Sequence, residues 1–221
     1  MEFERLHSPA IEQLIRSAAT WFCSERAGLV PRTYRRRQYI YHAADTAQHV
    51  GFIQQGSIEI LTSARRKSCP TELRFAGDFI GELVLCGQPF RQESALALEN
   101  VTLRLATVDH FMSFVTEQAL SEQLVTYFAL ALRTQNRRFA NMLMEKCERR
   151  LAITLLELAE RHGGSELVPL HLTQAELGRM IGTTRSRIGY FLKHFRELGL
   201  VGHFNSAGVE VNLKRLPEYC R

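Results

Sequence analysis

Cysteines are few and scattered in this sequence, and no two of them lie close together. The five stand at Cys23, Cys69, Cys86, Cys147 and Cys220. A disulfide framework needs an even set of cysteines, and a structural zinc site needs closely spaced ones. We therefore expect reduced thiols, no metal site and a cytoplasmic location.

Long apolar segments are absent as well. No stretch approaches the roughly 18 apolar residues of a membrane-spanning helix, and the first residues lack the apolar core of a signal peptide. The sequence also contains no nucleophile elbow, P-loop, dinucleotide fingerprint or metal-ligand spacing. We therefore expect neither a membrane partner nor an enzyme.

The composition is that of a folded protein with a mild excess of positive charge. The 221 residues suffice for two small domains, and 45% of them are hydrophobic. The net charge is +5, and residues 148–221 hold 11 basic and 8 acidic side chains. The denser positive charge of this last part favours a polyanionic partner there.

A helix and a set of short strands are predicted in the first half of the sequence. Apolar residues at helical spacing predict a helix over residues 10–27. Strand-like runs occupy residues 39–41, 50–53, 57–62, 73–75 and 103–108. Gly56 lies in a predicted turn between two of them, and Asp109 is predicted to cap the helix that follows. This pattern is typical of a small β-barrel or β-roll.

A long helix with a regular apolar seam is predicted from Ser121 onward. The seam positions are Val125, Phe128, Leu132, Gln135, Phe139 and Met142. Their alternating spacing of 3 and 4 residues is that of a coiled coil, which predicts pairing with a second copy in a homodimer. The alternative is a helix that packs on its own β domain.

A shorter helix is predicted after the long one. It covers residues 150–161, with a hinge near residues 145–149, and ends at the glycine-rich segment 163–165.

Residues 172–199 contain the most informative motif in the sequence. Thr173 and Glu176 form a capping box that starts one helix, and Gly182 ends this helix in a tight turn. A second helix follows, with inward positions at Ile188, Phe191, Leu192, Phe195 and Leu198. Two helices joined in this way form a helix-turn-helix, and the strands predicted at 200–204 and 209–211 would form the wing of a winged helix.

The outer face of the second helix is polar and basic. We predict that this recognition helix spans residues 184–198, is capped by Thr183 or Thr184, and enters the major groove of DNA. The candidate DNA-binding residues are Thr173, Gln174, Thr183, Thr184, Arg185, Ser186, Arg187, Tyr190 and Lys193. Arginine can bridge guanine O6 and N7, whereas lysine, serine and tyrosine more often contact phosphate. The alternative is a helical hairpin with a solvated basic face.

The order of these parts resembles the CRP/FNR superfamily of bacterial transcription regulators over roughly residues 30–215. The predicted roll carries the run Gly77-Asp78-Phe79-Ile80-Gly81-Glu82-Leu83, and ten residues separate Glu82 from Glu93-Ser94-Ala95. The resemblance implies an α+β fold with an N-terminal double-stranded β-helix (a jelly-roll-like β-roll), a long dimerisation helix and a C-terminal winged helix-turn-helix. The three parts would be residues 1–119, 120–146 and 147–221.

The resemblance also implies the partners. They are double-stranded DNA with a palindromic operator of two inverted half-sites, a second copy of the chain, and RNA polymerase. Arg185 matches the recognition-helix arginine of the family, but Ser186 and Tyr190 stand where the catabolite-activator branch has a glutamate and a second arginine. We therefore expect the operator geometry of the family with a different base sequence.

Cyclic AMP is the best-known effector of the family, bound by Gly-Glu, ten residues and Arg-Ser-Ala. Here Glu93 replaces the arginine that pairs with the cyclic phosphate, and Arg91, two residues earlier, is the candidate substitute. On the long helix, Gln135 and Asn136 replace the Thr-Ser pair that contacts adenine. The candidate pocket residues are Gly81, Glu82, Arg91, Glu93, Ser94, Ala95, Gln135 and Asn136. We predict a pocket that does not take cyclic AMP, and its effector and cofactor stay unknown.

Other sensor chemistries of the family match less well. An iron–sulfur sensor needs clustered N-terminal cysteines, and only Cys23 lies there. A haem sensor would use an axial histidine, for which the candidates are His42, His49 and His110. A thiol sensor would use Cys86 or Cys147, which we expect to be buried and inert. The alternative function is a ligand- or haem-sensing regulatory module that acts on a protein partner.

Overall fold

The computed structural model describes residues 9–64, 67–162, 166–205 and 208–220. The chain divides into two compact units, one that extends to Ala129 and one that begins at Leu130. Among the helices that lie in the described ranges, none has both the length and the hydropathy needed to cross a membrane.

The first unit begins with helix α1 (Pro9–Cys23), which buries its apolar face. The buried residues are Ile11, Leu14, Ala18 and Phe22. The helix is shorter than the predicted 10–27, because Ser24 caps a separate 3-10 helix (Glu25–Ala27). Gly28 closes this turn in the left-handed region at φ 60°.

Two antiparallel four-stranded sheets form the β-roll of this unit. Their strand orders are β1-β8-β3-β6 and β2-β7-β4-β5. The strands are β1 (Pro31–Tyr34), β2 (Tyr39–Tyr41), β3 (His49–Gln55), β4 (Ser57–Ala64), β5 (Lys67–Phe75), β6 (Phe79–Ile80), β7 (Ser94–Ala97) and β8 (Val101–Thr107). Apolar residues from both sheets, including Ile53, Ile58 and Leu103, form a continuous buried core. The predicted jelly-roll-like β-roll is therefore confirmed.

Three strands and one helix cap differ from the sequence predictions. The pattern did not indicate β1, which is largely exposed, nor β6, which has two residues, nor β7, which has no β-branched side chain. Asp109 is not the cap of α2 (Val108–Glu117). The cap is Thr107, whose hydroxyl accepts from the backbone N–H of His110. The predicted turn at Gly56 is confirmed, with φ 91° between β3 and β4.

Helix α3 (Ser121–Met144) has 24 residues and is followed after two residues by α4 (Cys147–His162). The predicted long helix is therefore confirmed, and it ends at Met144, next to the segment 145–149 for which a hinge was predicted. Beyond Leu130, Arg137 and Arg138 approach the Glu157 carboxylate on α4 at 3.0 and 3.6 Å. The predicted glycine-rich end of α4, residues 163–165, lies outside the described residues.

The second unit ends in a winged helix. Its elements after α4 are β9 (Leu167–Leu170), α5 (Gln174–Ile181), α6 (Arg185–Glu197), β10 (Val201–Phe204), β11 (Val209–Asn212) and α7 (Leu216–Tyr219). The strands form a sheet in the order β10-β11-β9. The predicted wing hairpin is confirmed, and the sequence pattern missed only its third strand, β9.

Candidate nucleic-acid interface and effector pocket

The first helix of the helix-turn-helix, α5, is capped at its start by two reciprocal hydrogen bonds. The Thr173 hydroxyl accepts from the backbone N–H of Glu176 at 3.2 Å, and the Glu176 carboxylate accepts from the backbone N–H of Thr173 at 2.7 Å. This capping box satisfies two backbone donors that α5 would otherwise leave open. It fixes the residue at which α5 begins, as the sequence predicted.

The turn between α5 and α6 requires two glycines. Gly182 ends α5 with φ 70°, a left-handed conformation that residues with a Cβ seldom adopt. Gly178 lies one turn earlier, where an added Cβ would stand 3.0 Å from the Thr183 carbonyl oxygen. The sequence analysis found Gly182 but missed Gly178, because its role is a close approach of two backbones rather than a turn conformation.

The recognition helix α6 starts at its predicted cap. The Thr184 hydroxyl accepts from the backbone N–H of Arg187 at 3.3 Å. Of the two candidate threonines, Thr184 is therefore the cap. The helix buries Ile188, Phe191, Leu192 and Phe195. Leu198 was predicted to point inward, and this is wrong. It follows the end of the helix as its C-cap and is 43% exposed.

The outer face of α6 is exposed, as the sequence predicted. Arg185, Ser186, Arg187 and Lys193 are exposed, and Tyr190 is 72% exposed. The first turn contains no acidic residue, so the positive end of the helix dipole adds to the arginine charges. Within the described residues, the Arg185 side chain has no hydrogen bond or ion pair. This end of α6 is suited to contact phosphates and base edges.

Gln174, a predicted DNA-binding residue, lies against α6 through a contact that the sequence does not reveal. An added Cβ on Gly189 would lie 3.2 Å from the Gln174 side-chain oxygen. The first residue of α5 thus extends its amide over the outer face of α6, and the missing side chain of Gly189 leaves room for it. Thr173 and Thr183 are half-buried beside the same face.

Several predicted effector-pocket residues of the β-roll make hydrogen bonds and ring contacts within the roll. The Arg91 guanidinium donates to the carbonyl oxygens of Gly81 at 2.8 Å and His49 at 2.7 Å, and it lies over the Tyr41 ring. Ser94 accepts from the backbone N–H of Ala43 at 2.8 Å. Ala95 is fully buried. The Arg91 guanidinium is therefore held by backbone carbonyls of the β-roll.

Glu82 and Glu93 are the two carboxyl groups among the predicted pocket residues. Arg74 donates to the Glu82 carboxylate at 2.6 Å. Burial raises the pKa of Glu82, and Arg74 opposes that rise. Burial, with the neighbouring Glu82 carboxylate, raises the pKa of Glu93 to about 7, while a hydrogen bond from the Tyr41 hydroxyl opposes the rise. The sequence analysis did not identify Arg74, because an arginine inside a strand gives no motif.

The open space at this pocket is small. Its walls include the predicted residues Gly81, Arg91 and Glu93, and its volume is about 10 Å³, the space of about one water molecule. Gln135 and Asn136, the predicted helix contacts, lie on α3 beyond Leu130 and are exposed. They belong to the second compact unit.

The alternative sensor residues are spread over the β-roll and the start of α4. The His42 ring packs on Tyr39 at 4.1 Å, and the His110 ring packs on Trp21 at 4.9 Å between ring centres. Burial lowers the pKa of His49, with Arg32 and Arg91 adding to the effect. In the described part of the chain, no three His, Cys, Asp or Glu side chains are grouped as metal ligands.

The two candidate thiols differ from the sequence expectation. Cys86 was expected to be buried, and this is wrong. It is exposed, because it ends the 3-10 helix Glu82–Cys86 where Gly87 turns the chain at the surface. Cys147 is half-buried and accepts from the Arg150 guanidinium at 3.0 Å.

Two family models match the chain in the order that the fold shows. A cyclic nucleotide-binding domain matches residues 31–118, and a Crp-like helix-turn-helix domain matches residues 149–218. The chain belongs to the CRP/FNR superfamily. It is a DNA-binding transcription regulator of the CRP/FNR type, as the sequence predicted.

Curated relatives agree with this assignment, and a solved structure shares the fold. The "cAMP-activated global transcriptional regulator Vfr" of Pseudomonas aeruginosa is 29% identical over 180 residues, covering 77% of this chain and 84% of that protein. A "CRP-like cAMP-activated global transcriptional regulator" of Mycobacterium tuberculosis is 30% identical over 129 residues, covering 56% of this chain and 58% of that protein. FixK2 from Bradyrhizobium japonicum has the same fold, with a TM-score of 0.76 at 19% identity over 86% of this chain and 96% of that one. These matched relatives are transcription regulators and not enzymes.

Proposed function

We propose that this CRP/FNR regulator acts as a homodimer that reads an inverted-repeat operator in double-stranded DNA. The observation that carries this proposal is the α3 seam, whose Val125, Leu132 and Phe139 side chains are 68, 63 and 66% exposed in the single chain. A row of exposed apolar side chains at coiled-coil spacing indicates an interface that a partner helix covers. A second copy provides the same seam, so the simplest partner is the chain itself.

The two recognition helices of such a dimer would contact two half-sites. We assign base contact to Arg185, because its exposed guanidinium stands at the start of α6 and can bridge guanine O6 and N7. Ser186 and Tyr190 line the same face and set the neighbouring base preference. The remaining contacts, to phosphate and sugar, come from Thr173, Gln174, Thr183, Thr184, Arg187 and Lys193.

Cyclic AMP does not control this regulator in our proposal, although Vfr is described as cAMP-activated. The pocket places a carboxyl group, Glu93, where a phosphate-binding arginine would be needed, and a carboxylate repels a phosphate. We assign Arg91 to the fold rather than to a phosphate, because two backbone carbonyls hold its guanidinium. The effector, if the chain uses one, is therefore of another chemical class.

The cellular setting follows from the function. A regulator of this type works where the chromosome is, which places it in the cytoplasm with reduced cysteines. We include RNA polymerase as its partner on the strength of the family alone. We also keep the functional division into a sensor part (1–119), a dimerisation helix with hinge (120–146) and a DNA-binding part (147–221).

In vitro selection from random-sequence duplex DNA tests the proposal. The purified chain should enrich an inverted repeat, and its affinity for that repeat should fall steeply between 50 and 200 mM salt, by roughly a thousandfold or more if six or more phosphates are contacted. Enrichment of no sequence, or of a single unrepeated element, would contradict it.

A further inference from the structure

Arg74 lies at the centre of a buried polar cluster that joins the β-roll to the long helix. Its side chain is 12% exposed and stands on β5. One terminal nitrogen, Nη2, lies 2.6 Å from the Glu82 carboxylate and 2.9 Å from the Glu72 carboxylate. The other, Nη1, donates to the Tyr127 hydroxyl of α3 at 2.8 Å. A single guanidinium therefore connects the pocket glutamate to the start of α3.

The contact with α3 is well defined on the helix side too. Tyr127 and Leu124 are the buried residues of this helix. The Tyr127 ring packs edge-to-face against Phe79, with 5.6 Å between the ring centres. Phe79 lies in β6, which leads directly into Gly81 and Glu82. The hydroxyl is thus held in position by the ring, and Arg74 reaches it from the opposite sheet. Burying a charged group is costly unless it is paired and hydrogen-bonded, so this arrangement favours one fixed geometry.

We propose that Arg74 substitutes for an effector. Its guanidinium pairs with Glu82 and holds the first turns of α3 through Tyr127, so that the dimer binds its operator without a cyclic nucleotide. This inference rests on the proposed function, because it concerns how the DNA-binding form of the dimer is maintained. Arg74 acts as a positioning residue through Tyr127 and does not touch DNA.

The alternative is that Arg74 only stabilises the β-roll. Arg104 provides the matched comparison, because it is also a partly buried arginine of the roll, hydrogen-bonded to Gln54 and to the Leu29 carbonyl. Its described hydrogen bonds stay within the roll and do not reach α3. Loss of Arg104 should therefore weaken the roll without loosening α3.

The test uses the dimer of the 221-residue chain with Arg74→Met, Tyr127→Phe, the double variant and the control Arg104→Met. Hydrogen exchange of the α3 amides in residues 121–129 measures whether the first turns are held, and titration of the selected operator without added ligand measures DNA affinity. Tyr127→Phe keeps the ion pair intact and removes only the hydroxyl, so it remains informative if Arg74→Met folds poorly.

We expect wild type to bind the operator equally with and without 1 mM cyclic AMP. Arg74→Met and Tyr127→Phe should each speed exchange in residues 121–129 by about tenfold or more, the usual effect of losing a hydrogen bond to a charged group, and should weaken operator binding. Tyr127→Phe should add little in the Arg74→Met background. Arg104→Met should change neither readout.

Two results would overturn the inference. One is wild type that binds its operator only after cyclic AMP is added. The other is Arg74→Met and Tyr127→Phe variants that match wild type in α3 exchange and in DNA affinity. Failure of wild type and Arg104→Met alike to bind any selected DNA would instead refute the proposed function, so the two failures are distinguishable.

Discussion

At the scale of single residues, the chemistry of the DNA-binding surface depends on which side chains stand at the start of α6. Arg185 is exposed at the first helical position, and the Thr184 cap fixes the backbone beneath it. The sequence alone predicts this arrangement, because a cap, a turn glycine and helical periodicity are local signals. The contact of the Gln174 side chain with Gly189 depends on how α5 and α6 cross, and local sequence signals carry no such information.

Substitution of Arg185 by Ala should relax the preference at one base pair and cost roughly 1–3 kcal/mol of operator binding. Lys193→Ala is the comparison, because a phosphate contact should weaken all sequences alike and reduce the salt slope by about one. Titrations of the selected operator and its single-base variants at several salt concentrations distinguish the two. A uniform loss for Arg185→Ala would make it a phosphate contact.

Glu93 should give the folded protein a stability that depends on pH. Burial raises its pKa in the fold from 4.5 to about 7. A carboxyl with a raised folded pKa favours the folded state when protonated, so this contribution is complete below about pH 4.5 and is lost as the pH rises through about 7. Urea unfolding of wild type at pH 5.5 and pH 8 should therefore show a loss of stability that Glu93→Gln lacks.

The control for this prediction is Glu117→Gln, at the exposed end of α2. It should keep the pH dependence of wild type. Equal pH dependence of wild type and Glu93→Gln would show that Glu93 does not titrate as a buried group.

At the scale of elements, the predictions from periodicity were the most successful and those for small strands the least. The apolar spacing of α3 repeats over several turns, and the capping box of α5 is a signal between two residues three positions apart. By contrast, β6 contains only two residues, and β9 is recognised only by its pairing with β11, a contact between distant segments. The buried Arg74 contact with Tyr127 is of the same long-range kind.

Substitution of Phe139 by Glu should dissociate the dimer. A symmetric interface loses the burial of two phenyl rings, which at about 1.5–3 kcal/mol each raises the dimer dissociation constant by roughly a hundredfold or more. Sedimentation velocity measures the change. Val30→Glu is the control, because Val30 is 76% exposed outside the seam and should leave the dimer intact. If the Phe139→Glu chain stays dimeric, the α3 seam does not form the dimer interface.

At the scale of the whole molecule, the proposed function depends on two copies rather than one. A single winged helix reads a few base pairs, and high affinity requires the two recognition helices of a dimer to bind together. The sequence could predict the order of the parts, because each has its own motif. It could not predict the occupied pocket, since that follows from Arg74 and Arg91 folding back onto groups of the β-roll.

The spacing of the half-sites tests this account most directly. The affinity of the 221-residue chain is measured for the selected inverted repeat and for the same duplex with about 5 bp, half a helical turn, inserted at its centre. The insertion turns one half-site to the opposite face of the DNA, so the account predicts a loss of roughly a hundredfold or more, down to the affinity of a lone half-site. Equal affinity for the two duplexes would contradict a symmetric dimer that reads both half-sites at once.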